Sequence, residues 1–199
     1  MATEDRMLIR RIKQGDKAAF EVLVQRHYQN IFAYCFRRTG NRQDAEDLTQ
    51  EVFLKVIKAI YKYHYTGKFS NFLFTIAVNC VNDFYRRKLS NPVETTGLKD
   101  EQGVRLTDMD ADHSAYLEMM PDQMQEPGAE ILRREERQTL YARLRGLAEP
   151  QKEALILYYF HGFKAREIAA MTGVSVATAK SRIRQGMEHL RKIYEKEER

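Results

Sequence analysis

The segment from residue 163 to residue 192 constrains the fold more than any other part of the chain, because its apolar residues repeat at helical spacing on both sides of a glycine. Gly173 provides the backbone freedom that a tight turn needs, and Ser175 can cap the second helix by accepting a backbone N–H. Two short helices joined in this way form a unit that presents its second helix to DNA. The positions predicted to face inward are Ile168, Ala169 and Met171 in the first helix and Val176, Ala179, Ile183, Met187 and Leu190 in the second.

Polar and basic side chains remain on or beside the outer face of the second helix. They supply hydrogen-bond donors for phosphate oxygens and for guanine edges in a major groove. These residues are Thr178, Lys180, Ser181, Arg182 and Arg184. An ordinary helical hairpin with a solvated basic face would have the same spacing, so periodicity alone leaves both interpretations open.

Length and composition restrict the class of protein. With 199 residues, of which 43% are hydrophobic, the chain is long enough for one or two modest globular domains. No apolar run approaches the roughly 18 to 20 residues that span a bilayer, and the start is charged, so we expect a cytoplasmic protein. Cys35 and Cys80 lie in apolar helical patterns without metal-ligand spacing. We therefore expect buried thiols in a reducing compartment, and neither a metal nor a cofactor.

Charge divides the chain into three parts. Residues 1–90 carry 16 Lys and Arg against 9 Asp and Glu, residues 91–127 carry 2 against 9, and residues 128–199 carry 15 against 10. The acidic middle part also holds three of the four prolines and little periodicity. It is therefore predicted to be a flexible linker between two basic domains, 1–90 and 128–199. Such a linker could be a mere solvated tether, could shield the domains from unwanted DNA, or could lie in a channel built for nucleic acid.

The first 90 residues have helical spacing throughout. Breaks are predicted near Gly15-Asp16, Gly40-Asn41 and Thr66-Gly67. The apolar stripes are Phe20, Leu23, Val24, His27, Ile31, Tyr34 and Cys35 in the second segment and Leu48, Val52, Val56, Ala59 and Ile60 in the third. These stripes should bury one another in a compact helical bundle.

An acidic face is predicted on the third helix, where Asp44, Asp47 and Glu51 follow at i, i+3 and i+7. Acidic residues in a first turn complement the helix dipole, which explains part of the cluster but not Glu51. Together with Gln50 and Phe53, the face suits docking of a basic protein surface. A divalent-metal site is the alternative, but no histidine or second acidic cluster supports it, and no catalytic residues are predicted.

The fourth segment separates an apolar side from an amide-rich side that ends in Arg86, Arg87 and Lys88. The apolar side is predicted to hold Phe69, Leu73, Ile76, Ala77, Cys80 and Phe84, and the other side Asn71, Thr75, Asn79, Asn82 and Arg86. Just upstream, aromatic residues alternate with cations between residues 61 and 69, including Lys68. Rings stack on unpaired bases while cations follow phosphates, so this region suits single-stranded nucleic acid, although about half of the rings should be core.

In this order, the elements resemble an extracytoplasmic-function (ECF) sigma factor, the smallest class of bacterial transcription initiation factor and one associated with stress responses. DAEDLTQEVFLKV at residues 44–56 resembles the polymerase-binding helix of region two, and TIAVNCVNDFYRRK at residues 75–88 resembles its promoter-melting helix. EALILYYFHGFKAREIAAMTGVSVATAKSRIRQGMEHLRK at residues 153–192 resembles region four. The resemblance implies an all-α protein of two helical domains without catalytic activity.

By position, the resemblance also implies the contacts. Core RNA polymerase would be bound, at the clamp of its largest catalytic subunit, by Asp44, Glu46, Asp47, Gln50, Glu51 and Phe53. The -10 element of promoter DNA would be melted and held by Lys68, Asn79, Asp83, Arg86, Arg87 and Lys88. The -35 element would be bound by Lys164, Arg166, Ser175, Thr178, Lys180, Ser181, Arg182 and Arg184. The flap of the second largest subunit and an anti-sigma factor are further implied partners, and the linker would thread the polymerase channels.

The chain departs from the family pattern next to the -10 helix. The family usually has an Arg-Gly pair before this helix and a Trp inside it, whereas this chain has Thr66-Gly67-Lys68 and then Phe72. Phe72 can replace the packing of a Trp but not its indole donor. A stand-alone dimeric helix-turn-helix regulator is the alternative function; it would bind a palindromic operator and leave the acidic face without a use.

Overall fold

The computed structural model describes residues 2–64, 67–90, 144 and 146–197. Within these ranges all regular elements are helical, which confirms the predicted fold class. The helices are α1 (Ala2–Lys13), α2 (Lys17–Thr39), α3 (Arg42–Ala59), α4 (Phe69–Ser90), α5 (Glu149–Leu155), α6 (Ala165–Thr172) and α7 (Val176–Glu197), with a π-helical stretch (Ile156–Phe160) directly after α5. None of them has the length and apolar character needed to cross a membrane. The predicted linker, 91–127, lies outside the described residues.

Local capping explains where the N-terminal helices begin and end. Asp16 precedes α2 and its carboxylate accepts the backbone N–H of Ala19 at 3.1 Å. Gly40 ends the same helix with a φ of 67°, a left-handed conformation that strongly favours glycine. Asn41 then caps α3 by accepting the backbone N–H of Asp44 at 2.9 Å. The first two predicted helix breaks are therefore confirmed, with a polar cap directly after each glycine.

The described residues fall into two compact units, one with α1 to α4 and Arg166–Ser175, the other with α5, the π-helical stretch and α7. In the first unit α2, α3 and α4 pack against one another, and α1 covers α2 and α4. Most of the predicted stripes are buried, including Leu23, Ile31, Tyr34, Cys35, Leu48, Val52, Val56, Leu73, Ala77 and Cys80. Burying each large apolar side chain contributes about 1.5 to 3 kcal/mol to folding.

Helix α4 is buried over a wider arc than its sequence pattern indicates. Phe74, Val78 and Val81 are buried although the pattern did not place them on the apolar side, whereas Ile76 and Phe84 are only half-buried. The reason is that α4 contacts three helices, α1, α2 and α3, so its core-facing surface exceeds a single stripe.

In the second unit, the short helix α5 packs against the long helix α7. Ala179 and Leu190 of α7 are buried as predicted, but Val176 and Met187 are 40% and 39% exposed, so their predicted inward orientation was wrong. Gly186 lies against α5 instead, and the buried side of α7 therefore passes through position 186 and not 187. A seven-residue helix covers only a narrow band of its partner, which leaves the flanking apolar positions exposed.

Candidate nucleic-acid and protein interfaces

The predicted acidic face is present on α3 and is accessible. Asp47 and Gln50 are exposed, while Asp44, Glu46 and Glu51 are half-buried. Neighbours along the helix hold two of these side chains, since Gln43 donates to Asp47 at 3.3 Å and Arg42 donates to Glu46 at 2.8 Å. The face is thus an ordered set of hydrogen-bond acceptors.

The exposed apolar residue of this face is Leu54, whereas the sequence pattern indicated Phe53. Phe53 is only 7% exposed and stacks on Tyr28 of α2, with the ring centroids 6.3 Å apart. Leu54 is 60% exposed, and it stands four residues after Gln50 and three after Glu51, so it lies on the same side of the helix. Sequence reasoning missed Leu54 because Phe53 has the larger apolar side chain; the phase of the stripe Leu48, Val52, Val56 would have placed Phe53 nearer the core.

The predicted single-strand-binding residues lie along the outer side of α4. Asn79, Arg86, Arg87 and Lys88 are exposed and Asp83 is half-buried. Lys68, directly before α4, is also exposed. The arrangement leaves three consecutive cations accessible at the C-terminal end of α4, where positive charge also complements the helix dipole.

The structure brings these cations together with the acidic face of α3. Arg87 donates to Glu51 at 3.2 Å, and Lys55 contacts Glu51 at 2.7 Å. Lys55 also approaches Asp83 at 3.9 Å, and Arg86 hydrogen-bonds to Asp83. Side chains of α3 and α4 therefore form one network, which lines a groove of about 460 Å³.

A second, longer ion pair joins the same two helices. Lys88 Nζ lies 3.9 Å from a carboxylate oxygen of Asp44. Together with Arg87 and Glu51, this pair shows that two predicted DNA-binding cations face two predicted polymerase-binding acids. The sequence separates these partners by 36 to 44 positions, so their pairing had no signal in the local pattern.

Protonation of the acidic face follows from these contacts. Partial burial by itself raises the pKa of Glu51, but hydrogen bonds from Lys55 and Arg87 outweigh it, and the pKa of Glu51 lies below its ordinary value. For Asp44, burial raises the pKa despite the attraction of Lys88. Glu51 is accordingly the acid whose charge is fixed by its cationic neighbours.

Aromatic rings support the start of α4. The rings of Tyr63 and Phe72 are 4.4 Å apart, and both lie within 5.8 Å of the ring of Phe69. Phe72 is half-buried within this cluster. Lys13 of α1 donates a hydrogen bond to the backbone carbonyl of Tyr63 at 2.6 Å. This bond holds the backbone of the segment between α3 and α4 at Tyr63.

The predicted duplex-binding residues of α7 lie in its N-terminal half. Thr178, Lys180 and Arg184 are exposed, and Ser181 and Arg182 are half-buried. Arg184 forms an ion pair with Glu188 at 3.1 Å, one turn further along.

The remaining predicted residues of this set lie around α6 and are also exposed: Lys164 and Arg166 at its start, and Ser175 directly before α7. Gly173 has a φ of 68°, which confirms the predicted turn between α6 and α7. Among the described residues, no group of three or more His, Cys, Asp or Glu side chains is placed to hold a metal ion. Both cysteines are buried as expected, and burial raises the pKa of Cys35 to about 12.

Two family models match the chain in the order of these elements. The model of sigma-70 region 2 matches residues 23–90, and that of sigma-70 region 4 matches residues 137–190. The chain is 27% identical over 184 residues to the ECF RNA polymerase sigma factor SigW of Bacillus subtilis, covering 92% of this chain and 93% of SigW. It belongs to the ECF sigma factor family.

Further comparisons agree with this assignment. The sigma factor is 29% identical over 189 residues to the ECF RNA polymerase sigma-E factor of Haemophilus influenzae, covering 92% of each chain. Its fold matches the sigma factor RpoE of Bartonella quintana in the co-crystal structure with the anti-sigma factor NepR. The TM-score is 0.63 at 19% identity, with 88% of this chain and 96% of that chain covered.

The family is that of transcription initiation factors, which bind core RNA polymerase and promoter DNA and are not enzymes. The comparisons do not favour the alternative, a stand-alone regulator. The cation-rich end of α4 and the acidic face of α3 both fall within the match to region 2, and the outer face of α7 falls within the match to region 4.

Proposed function

We propose that this sigma factor docks on the clamp of the largest polymerase subunit through one side of α3, formed by Asp44, Glu46, Asp47, Gln50, Glu51 and Leu54. The observation that carries the proposal is the combination of acceptors with an exposed leucine on a single helix side. An apolar centre with a polar rim is the usual composition of a protein interface. Phe53 supports this side from beneath, through its packing on Tyr28.

The -10 element is proposed to be held as a single strand by α4. Asn79 and Asp83 would contact a base taken out of the stack, and Arg86, Arg87 and Lys88 would hold the neighbouring phosphates. Lys68 adds a further cation at the opposite end of the helix. All these residues belong to α4 or directly precede it. Because they lie along one helix, they can contact successive nucleotides of one DNA strand.

The -35 element is proposed to be bound as a duplex by the N-terminal half of α7, with Lys164 and Arg166 on the DNA backbone. The flap of the second largest subunit is the proposed polymerase contact of this part of the chain. An anti-sigma factor is a further proposed partner, because RpoE of Bartonella quintana, which has a similar fold, forms a complex with the anti-sigma factor NepR. The proposed location is the cytoplasm.

A charge reversal on α3 tests the proposed polymerase contact without DNA. Asp47→Lys combined with Glu51→Lys should abolish co-elution with core RNA polymerase on gel filtration, while the circular dichroism spectrum stays that of a folded helical protein. Glu21→Lys reverses an exposed acid on α2 that is not among the proposed contact residues, and it should co-elute normally. Unchanged co-elution of the double variant would refute the assignment of α3 as the polymerase contact.

A further inference from the structure

A row of cations on α1 takes no part in the contacts proposed above. Leu8 and Ile12 are buried, so they mark the side of α1 that faces the rest of the first unit. Arg6, Arg10 and Lys13 follow one another at steps of four and three residues, so they share another side of the helix. All three are exposed. We call these three residues the α1 row.

Contacts with neighbouring residues show which way the α1 row faces. Arg11 donates to Asp16, the N-cap of α2, at 2.9 Å, so its side of α1 is turned towards α2. Lys13 instead donates to the backbone carbonyl of Tyr63 at 2.6 Å. One residue rotates a helix by about 100°, so Arg10 and Arg11 lie on different sides although they are adjacent in sequence. The α1 row therefore lies on the side of α1 that contacts the segment between α3 and α4.

The two segments that this hydrogen bond joins carry one sign of charge. Residues 6–15 and 52–82 contain no Asp or Glu. In the second segment Lys62 and Lys68 are exposed, and Tyr61 is 57% exposed. An anionic ligand would therefore meet no negative side chain from either segment. Exposed cations beside an exposed ring suit single-stranded nucleic acid, because the ring can stack on a base while the cations follow the phosphates.

Tyr63 connects the α1 row to the start of α4. Its carbonyl accepts from Lys13, and its ring packs on Phe69, the first residue of α4, with the ring centroids 5.8 Å apart. Lys68, which belongs to the proposed -10 contact, directly precedes Phe69. The α1 row thus adjoins the surface that is proposed to hold the single strand and is not an isolated patch.

From this juxtaposition we propose that Arg6, Arg10 and Lys13 hold phosphates of the single DNA strand beyond the part that α4 binds. The inference rests on the proposed function, since it extends the strand that α4 is proposed to hold. A duplex or an acidic protein would also be attracted to cations. The single strand is favoured because its unpaired bases can use the exposed ring of Tyr61, whereas the bases of a duplex are already stacked and paired.

The test measures the anisotropy of fluorescent single strands bound to the complex of the full chain with core RNA polymerase. A short probe carries only the cognate -10 element, which run-off transcription on a promoter library would supply. Two longer probes add a run of thymidines at one end or at the other. Arg10→Gln should lose about two- to fivefold affinity for one of the longer probes, with a log–log salt slope smaller by about 0.7, and should bind the short probe as the wild type does.

Arg11→Gln is the matched control. It removes the same charge from the adjacent residue, but from the side of α1 that contacts Asp16, so it should bind all probes as the wild type does. Arg10→Lys should keep the wild-type affinity for the longer probe, since a contact with a phosphate needs a positive charge and not specifically a guanidinium.

The outcomes separate the inference from the proposed function. Equal affinities of Arg10→Gln and Arg11→Gln for every probe would overturn the role of the α1 row, while the proposed function would stand if Arg87→Gln still weakens binding of the short probe. If Arg87→Gln binds the short probe as the wild type does, the proposed -10 contact fails and its extension fails with it. If Arg10→Gln weakens binding of a poly-glutamate peptide but of no single strand, the row contacts acidic protein, and the proposal is again overturned.

Discussion

A β-carbon placed on Gly186 would lie 2.7 Å from Cδ1 of Leu155, closer than non-bonded carbon atoms approach one another. Leu155 is the last residue of α5 and its side chain is fully buried, so it has little room to turn away. The glycine thus sets the distance between these two helices, even though a glycine inside a helix costs about 1 kcal/mol relative to alanine.

Gly186→Ala should therefore destabilise the protein despite the better helix propensity of alanine. Overpacking a core costs about 1 to 3 kcal/mol, so the net loss in the free energy of unfolding should be about 1 kcal/mol. Gly67→Ala is the control, because a methyl group there meets nothing within 4 Å. Urea unfolding monitored by circular dichroism measures both variants, and a more stable Gly186→Ala would contradict the steric account.

The buried histidine of α2 predicts a pH dependence of stability. His27 Nε2 lies 3.2 Å from the carboxylate of Asp5, which also accepts from Arg26 at 2.9 Å. Burial lowers the pKa of His27 below its ordinary value of 6.5, although the Asp5 carboxylate opposes the shift. The folded state therefore keeps His27 neutral at a pH where the unfolded chain takes up a proton.

Because the unfolded state binds more protons, the free energy of unfolding should fall as the pH is lowered through 6.5 towards the lower pKa of the folded state. Above pH 6.5 the contribution is complete. Urea unfolding at several pH values should show a weaker dependence in His27→Gln than in the wild type. His189→Gln, at an exposed histidine of α7, should keep the dependence of the wild type; if it instead removed the dependence, His27 would not be the responsible group.

Neighbouring residues on α3 should separate folding from polymerase binding. Phe53→Ala removes a buried ring that stacks on Tyr28 and should cost about 3 to 5 kcal/mol of stability. Leu54→Ala removes an exposed side chain, so its stability should stay within about 0.5 kcal/mol of the wild type. Its affinity for core polymerase should nevertheless fall several-fold. Thermal unfolding and polymerase titration measure the two effects, and wild-type polymerase affinity of Leu54→Ala would exclude Leu54 from the interface.

The accuracy of the sequence-based predictions depended on how local the determining interactions are. The break at Gly40-Asn41 was predictable because a left-handed glycine and an N-cap act within a few residues. Two of the wrong orientations are shifted by a single position. Phe53 was placed on the exposed face of α3 instead of Leu54, and Met187 was placed on the buried side of α7 instead of Gly186. One residue rotates a helix face by about 100°, and only the packing partner fixes that phase.

Contacts across helices were not predictable at all. Arg87 and Glu51 are each recognisable from the sequence as charged residues on a polar helix face. Their hydrogen bond depends on the relative register of α3 and α4, which side-chain packing in the bundle decides. The same holds for Leu155 and Gly186 in the second unit. The sequence therefore indicated which charged side chains are accessible more completely than how those side chains interact.

Base reading by α7 is testable at Arg182, which is half-buried, whereas the nearby cations Lys180 and Arg184 are exposed. If its guanidinium reads a guanine edge, Arg182→Ala should cost about 1 to 3 kcal/mol of affinity for the cognate -35 duplex and much less for a scrambled duplex. Run-off transcription with core polymerase on a promoter library would supply the cognate sequence, and anisotropy would measure both duplexes.

Arg191→Ala is the matched control for this substitution. Arg191 is on the same helix and forms an ion pair with Glu195 at 2.8 Å, but it lies beyond the N-terminal half of α7 that we propose enters the groove. Its removal should leave the affinity for both duplexes unchanged. Equal losses for Arg182→Ala on the cognate and scrambled duplexes would instead assign Arg182 to a phosphate, since phosphate contacts carry no sequence information. Specificity at the -35 element would then have to come from the remaining side chains of the same face, Thr178, Lys180, Ser181 and Arg184.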